Sequence, residues 1–400
     1  MRPKYEVADV LRAHWSRVPD MKGINGWQLR TLGALMRCRT AAMGGHKDAC
    51  TSCGTVQVSY NSCRNRHCPK CQGKNREEWI QKREAELLPV PYFHVVFTLP
   101  SELNQLAMHE PKAVYDSLFA AAWSTLNTFG HDPKHLGAQT GMICILHTWG
   151  QQLNLHPHLH CIVPGGGLSK KGYWKQARNK GKPGCREARF LFPVKAMSPV
   201  FRARYLEQLR QRCKPGQPLL NALYKKCWVV YAKRPFAHPM HVVEYLGRYT
   251  HKVAISNHRI AKIDADSVAI NYKDYRHGGK QQQLQLSHGE FIRRFAMHIL
   301  PRSFVRIRHY GILSSSSKIK SLPTIRAQVP KQWQPPTTEP RKLEPITQGV
   351  CPNCKTATMV TLEIIQKRGP PRVCTTAQSL ENENEKKMRL RHKKKRRHDA

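Results

Sequence analysis

Three histidines alternate along His156-Pro157-His158-Leu159-His160. If this run is a strand, alternation turns all three imidazoles to one face. His158 and His160 then face a common point while Leu159 turns into a core. A third ligand could come from a neighbouring strand. His147 lies eleven residues before His158, a separation that a hairpin can close, with His156 and Gln151 as competitors. One histidine alone is more often a satisfied polar residue than a ligand; three at spacing two with a fourth nearby are harder to read that way. Imidazoles with open positions suit several divalent ions. Softness favours Zn²⁺ or Ni²⁺, whereas phosphoryl transfer would run on Mg²⁺ or Mn²⁺, with substrate phosphate oxygen completing the shell.

A second pair of residues could use such an ion. Tyr245 and Tyr249 stand at i and i+4 in Glu244-Tyr245-Leu246-Gly247-Arg248-Tyr249-Thr250. On a helix they share a face. In isolation an aromatic stripe of this kind belongs to a core. Beside a metal-binding histidine pair, a tyrosine hydroxyl can attack a phosphodiester and keep the bond as a phosphotyrosine. Two tyrosines permit two successive cleavages.

The cysteines have their own spacing. Cys50-x2-Cys53 and Cys68-x2-Cys71 are two knuckles fourteen residues apart, and together they satisfy the four ligands of one Zn²⁺. His46, Cys63 and His67 lie in the same stretch and could replace one of the four. Arg64, Arg66 and Lys70 surround the knuckles and, with Arg248 and Lys252 beside the tyrosines, are candidate DNA contacts. Cys351-Pro352-Asn353-Cys354 is a further knuckle without a clear partner pair: half a site.

Charge supplies the substrate class. Lys plus Arg number 67 against 26 Asp plus Glu, a formal net charge of +41. Nine of these cations fall between Lys386 and Arg397, so most of the excess belongs to the rest of the chain. Such a chain repels itself unless a polyanion is near, and nucleic acid is the polyanion that releases counterions on contact. No apolar secretory core opens the sequence and no run of about 18 apolar residues occurs, which points to a cytoplasmic protein, at the nucleoid during action, with no membrane partner. In a reducing compartment clustered cysteines read as metal ligands. There is no Walker-type phosphate loop and hence no expected nucleotide cofactor.

These residues need elements to hold them. Helical spacing recurs in 1–45 and 75–88, flanking a cysteine-rich stretch at 46–75. Residues 92–99, 142–147 and 156–163 read as buried strands, the last two as an antiparallel hairpin ending at Pro164-Gly165-Gly166-Gly167. Helices are expected at 101–130, 199–212 and about 241–250. Further strands are expected at 226–231, 253–256 and 267–272, and an irregular hairpin or loop at 168–190. Residues 322–345 read as a linker and 380–400 as a disordered basic tail. The expected architecture is α+β in three parts: a helical and zinc-binding part at 1–88, a catalytic domain at 89–321 with a central antiparallel sheet flanked by helices, and a linker, lone knuckle and tail at 322–400.

The order of these motifs resembles a known family. "YNSCRNRHCPKCQ", then "HPHLH" leading into "VPGGG", then "EYLGRYTHKVAISN", then "FIRRFAMHILPRSFVRIRHYG" resemble the rolling-circle transposases of the insertion sequence 91 family, which are HUH, two-tyrosine enzymes. The resemblance runs from about Gly44 to Gly311. It implies that His158 and His160 are the HUH metal ligands and that Tyr245 and Tyr249 are nucleophiles. It also implies that Cys50, Cys53, Cys68 and Cys71 fall in an N-terminal zinc-binding domain. The implied activity is metal-dependent cleavage and rejoining of single-stranded DNA at element ends and target. His147 as third ligand rests on the residues alone. The rivals are a plasmid replication initiator or relaxase of the same chemistry, and a non-catalytic zinc DNA-binding protein descended from a transposase. Relaxases carry their tyrosines before the histidine pair; here they follow it.

Overall fold

The computed structural model describes residues 3–71, 80, 83–84, 86–177, 191–232, 236, 242, 253–329, 350–356, 358–367 and 372–373. In chain order its helices are α1 (Val7–His14), α2 (Gly26–Arg37), α3 (Asn104–His109), α4 (Pro111–His131), α5 (Val194–Arg212), α6 (Gln217–Lys225), α7 (His288–Ala296) and α8 (Lys318–Gln328). Its strands are β1 (Gly45–Cys50), β2 (Val56–Tyr60), β3 (Tyr92–Thr98), β4 (Gly141–Trp149), β5 (Leu155–Pro164), β6 (Gly166–Leu168), β7 (Trp174–Gln176), β8 (Val229–Ala232), β9 (Ile260–Ile263), β10 (Ser267–Asp274), β11 (Lys280–Ser287), β12 (Ile307–Gly311), β13 (Met359–Ile365) and β14 (Arg372–Val373). This is the expected α+β class with antiparallel sheets.

The chain separates into two compact units, one of residues 1–32 with 72–338, the other of 33–71 with 339–400. The first is built on a five-stranded antiparallel sheet of order β12-β4-β5-β3-β8. β5 lies at its centre, with the apolar residues at its alternate positions buried on one face. Val95, Phe97, Cys144, Leu146, Leu159, Cys161 and Val163 turn to one face, where they meet Leu118 and Phe119 of α4 and Phe201 and Tyr205 of α5. α4 can form this backing layer because Pro111 starts it and apolar residues follow at helical spacing.

The opposite face changes character along its length. At one end Tyr92, Ile143, Ile145 and Ile162 form a second apolar cluster with Leu322 and Ile325 of α8. At the other end the same alternation brings His94, His147, His158 and His160 to this face. A separate three-stranded sheet, β11-β10-β9, leads into α7, whose first turn is capped by the Ser287 hydroxyl accepting from the Glu290 amide. The β6–β7 hairpin overlaps the stretch expected as an irregular hairpin or loop at 168–190 but begins two residues before it, and 178–190 lies outside the described residues.

The second unit is a four-stranded sheet of order β14-β13-β1-β2. β13, from near the C-terminus, pairs antiparallel with β1 from Gly45↔Ile365 to Cys50↔Met359. Sequence patterning assigns these two segments to different domains; their contacts put them in one unit, because the β1 edge opposite β2 takes β13 as its ladder partner.

Two expected elements differ. Residues 253–256 hold no strand: Ala254 and Ile255 are buried apolar residues in a bend, so their hydrophobicity reflects packing rather than a ladder. The expected linker at 322–345 begins inside α8, which tolerates Pro323 while burying Leu322 and Ile325. Residues 330–349 and the basic tail lie outside the described residues. Among the described residues no helix is long and apolar enough to cross a membrane.

Candidate functional site

β4 and β5 form the hairpin, and its register places His147 directly opposite His158. His160 is two residues further along the same face of β5, opposite Val96 on β3 and Ile145 on β4. One ligand atom from each of His147, His158 and His160 lies within 4.8 Å of the others. His158 Nε2 and His160 Nε2 are 3.1 Å apart.

The other ring nitrogens explain this orientation. His158 Nδ1 is 2.7 Å from the carbonyl oxygen of His156. A carbonyl only accepts, so Nδ1 carries the proton and Nε2 of the neutral ring presents its lone pair. His160 Nδ1 is 2.9 Å from His94 Nε2, and the two rings stack with centroids 5.2 Å apart. His94 is buried, 1 % exposed, so its ring is fixed by packing. Both distal nitrogens are therefore engaged and both Nε2 atoms point to one place, the arrangement by which outer partners orient imidazole ligands. The His147 ring stacks on Trp149, centroids 4.7 Å apart. Of the competitors, His156 serves through its backbone and does not join the cluster, while Gln151 lines the same cleft and accepts at its carbonyl from Arg259. Sequence reasoning misses His94. Its only signal, one histidine inside the apolar strand 92–99, is what a core histidine would also give.

The cluster lies in an open cleft of about 840 Å³. Across it stand Arg259 and, from β10 and the turn after it, Tyr272, Lys273 and Tyr275. Arg259 donates to the carbonyls of Asn271 and Gln151, holding β10 against the loop that joins β4 and β5. The cleft thus joins imidazoles, cations and aromatic rings, a surface suited to a phosphate chain and its bases.

Tyr245, Tyr249, Arg248 and Lys252 lie outside the described residues. Val242 is described: it is helical and fully buried in the apolar cluster with Ile145 and Ile162.

In the second unit the cysteines gather differently from the expected single site. Cys38, Cys63, Cys68 and Cys71 form one cluster, and Cys50, Cys53, Cys351 and Cys354 another. The reason is the β1–β2 hairpin. Cys50 and Cys53 are at its turn, whereas Gly45 at the far end of β1 pairs with Tyr60, close in sequence to Cys63. A six-residue strand separates those ends by roughly 17 Å, too far for one ion to bridge. In the first cluster Cys71 Sγ is 3.3 Å from Cys38 Sγ and 3.7 Å from Cys63 Sγ. A tetrahedral ZnS₄ centre with bonds near 2.3 Å requires about 3.8 Å between sulfurs. Sharing of protons with the neighbouring sulfurs pulls the Cys71 thiol down and pushes the Cys68 thiol up, since four adjacent thiolates cannot coexist without a cation. Cys63 thus stands among these four cysteines, and Cys38, just past the end of α2, joins them with no knuckle spacing to betray it. His46 and His67 do not join either cluster. His46 pairs with Asp48 at 3.2 Å, and His67 accepts from Arg66 Nε at 3.3 Å. Lys70 donates to the Cys38 carbonyl, and Arg64 has a left-handed backbone, φ 51°.

Comparison with known proteins matches residues 10–99 to the transposase zinc-binding domain of insertion sequence 91 elements, and residues 141–320 to a family described as "Putative transposase". The chain is 41 % identical to "Putative transposase y4qJ" of Sinorhizobium fredii, over 93 % of this chain and 98 % of that one. This chain belongs to the insertion sequence 91 transposase family. It is also 28 % identical to the transposase for insertion sequence element IS801 of Pseudomonas savastanoi pv. phaseolicola, over 78 % of this chain and 76 % of that one. No solved structure matches it. For this transposase the zinc-binding match spans all four cysteines of the first cluster, whose donor set and spacing suit Zn²⁺.

Proposed function

We propose that this transposase cleaves and rejoins single-stranded DNA at the ends of its element and at the target, through a 5′-phosphotyrosine intermediate in rolling-circle transposition. The observation that carries the reading is the convergence of His147, His158 and His160, with the distal nitrogens of His158 and His160 already engaged, at the head of a cleft containing cations and aromatic rings.

In this reading His158, His160 and His147 hold a divalent ion. Bound Mg²⁺ or Mn²⁺ would supply Lewis-acid stabilisation of charge on the scissile phosphate. Arg259 and Lys273 draw the DNA backbone into the cleft. The hydroxyl oxygen of Tyr245 or Tyr249 forms a bond to phosphorus, and the bond from phosphorus to the 3′ oxygen breaks. The tyrosine gives up its proton, and the departing oxygen gains one to become a free 3′ hydroxyl. Attack by a 3′ hydroxyl on the phosphotyrosine reverses these steps and rejoins a strand. Burial of Val242 beside Ile145 and Ile162 supports this reading, since it anchors the chain three residues before Tyr245 over the sheet face that carries the histidines. Arg64, Arg66, Lys70, Arg248 and Lys252 add DNA contacts, and no nucleotide is consumed.

The test is incubation of labelled single-stranded element-end DNA with protein and Mn²⁺ or Mg²⁺, followed by a denaturing gel. A covalent protein–DNA band is expected. It should vanish in Tyr245→Phe/Tyr249→Phe, and in His158→Ala/His160→Ala with DNA binding retained. An adduct that survives the double tyrosine change removes the assigned nucleophiles. Loss of folding in the histidine variant makes those residues structural.

A further inference from the structure

Cys351-Pro352-Asn353-Cys354 reads in sequence as half a site. In the fold it meets Cys50-Thr51-Ser52-Cys53. Cys50 Sγ lies 3.6 Å from Cys354 Sγ, across 304 residues of sequence, and Cys53 Sγ lies 3.5 Å from Cys351 Sγ. Both distances are close to the sulfur–sulfur spacing of about 3.8 Å in a tetrahedral zinc site and far above the roughly 2.0 Å of a disulfide.

The two knuckles are built alike. The Gly54 amide donates to the Cys50 carbonyl at 2.9 Å, and the Lys355 amide to the Cys351 carbonyl at 3.0 Å. The Cys50 amide donates to the Thr55 carbonyl, and the Cys351 amide to the Thr356 carbonyl. The residue after each second cysteine is left-handed, Gly54 at φ 70° and Lys355 at φ 60°. A non-glycine residue holds that conformation only where surrounding structure enforces it. Threonine hydroxyls approach the sulfurs, Thr55 to Cys53 at 3.1 Å and Thr356 to Cys354 at 2.9 Å. The β1–β13 ladder runs to Cys50↔Met359, so the ladder delivers the C-terminal knuckle to the hairpin turn.

We propose that Cys50, Cys53, Cys351 and Cys354 form a second zinc site, a staple that fastens the segment at 351–365 to the N-terminal zinc-binding module. Residues 351–354 fall outside the matched zinc-binding stretch of 10–99, so this site extends that module with a distant part of the chain. It stands whether or not the histidine cleft cleaves DNA. In its thiolate form the site offers four sulfurs and no open position, which is the pattern of a structural rather than a catalytic ion.

The full-length chain, purified without added chelator, should carry two zinc ions per molecule by elemental analysis and native mass spectrometry. Cys351→Ser/Cys354→Ser should carry one. One ion in the parent and the same one in the variant overturns the proposal. Should the variant fail to fold, the parent chain decides by alkylation mapping. Cys53 is exposed and Cys354 half-exposed, so burial alone does not shield them. Both should react at least tenfold faster with N-ethylmaleimide once a zinc chelator is added. Equal rates with and without chelator, or recovery of these four residues as disulfides, overturns the site.

Discussion

His94 is the residue whose contribution goes furthest beyond its own chemistry. It is not one of the three converging histidines, yet its Nε2 fixes His160 Nδ1. His94→Ala is expected to weaken activation by Mn²⁺ by about 10- to 100-fold, the usual cost of losing an outer partner of a metal ligand. Titrating Mn²⁺ against cleavage checks this: the half-activating concentration should rise while DNA binding stays constant. His298 makes a different prediction. It is 2 % exposed, with Nε2 3.1 Å from the Leu153 carbonyl and Nδ1 3.1 Å from the Thr148 hydroxyl. Burial lowers its pKa from 6.5 to about 4. Below pH 6.5 the unfolded chain takes up a proton that the folded chain refuses. The stability that neutral His298 contributes is therefore intact above pH 6.5 and is lost progressively as pH falls toward 4, by about 2 kcal/mol at pH 5. Urea midpoints at pH 7 and pH 5 should fall further in the parent chain than in His298→Gln.

At the scale of elements, the site depends on β12-β4-β5-β3 holding register, because a one-residue slip would turn every histidine away from the cleft. Gly311 ends β12 in a left-handed conformation, φ 59°, and a Cβ there would collide with the Thr140 carbonyl oxygen. Gly311→Ala is expected to cost more than about 2 kcal/mol, combining backbone strain with a clash that backbone cannot relieve cheaply. Chemical denaturation measures it. Removing Leu159, buried between His158 and His160 in the sequence of β5, should cost about 2–5 kcal/mol as Leu159→Ala and loosen the convergence of the three histidines with it. The hairpin itself was legible in the sequence, since 142–147 and 156–163 are both strand-like runs close enough to pair. β11 was not: Lys280-Gln281-Gln282-Gln283-Leu284-Gln285 is polar, and its ladder with β10 comes from the partner strand rather than its own pattern.

For the whole molecule, a net charge of +41 predicts DNA binding that weakens steeply with salt. The logarithm of the association constant should fall linearly with the logarithm of salt concentration, with a slope of about −0.7 per phosphate neutralised on single strands. A salt-independent affinity would exclude backbone contacts as the main term. Chelation should unfold one unit only. Stripping zinc should open 38–71 and 351–365 to protease while the apolar sheet core of 92–313 persists, because that core has its own buried layers on both faces. Limited proteolysis with fragment mapping distinguishes this from collapse of the entire chain.

Chemistry that is local in register could be read from the chain alone. Alternation set His158 and His160 on one face, their spacing from His147 implied a hairpin, knuckle spacing announced zinc, and charge announced a polyanion. The first three depend on neighbours a few residues apart, which backbone geometry relates, and the last on composition. The partnerships had to wait for the fold. Cys50 and Cys53 join Cys351 and Cys354, while Cys68 and Cys71 join Cys38 and Cys63, because the length of β1 separates the two ends of a hairpin and β13 arrives from some 300 residues away. His94 likewise acquired its place from strand order, which no spacing in the chain encodes.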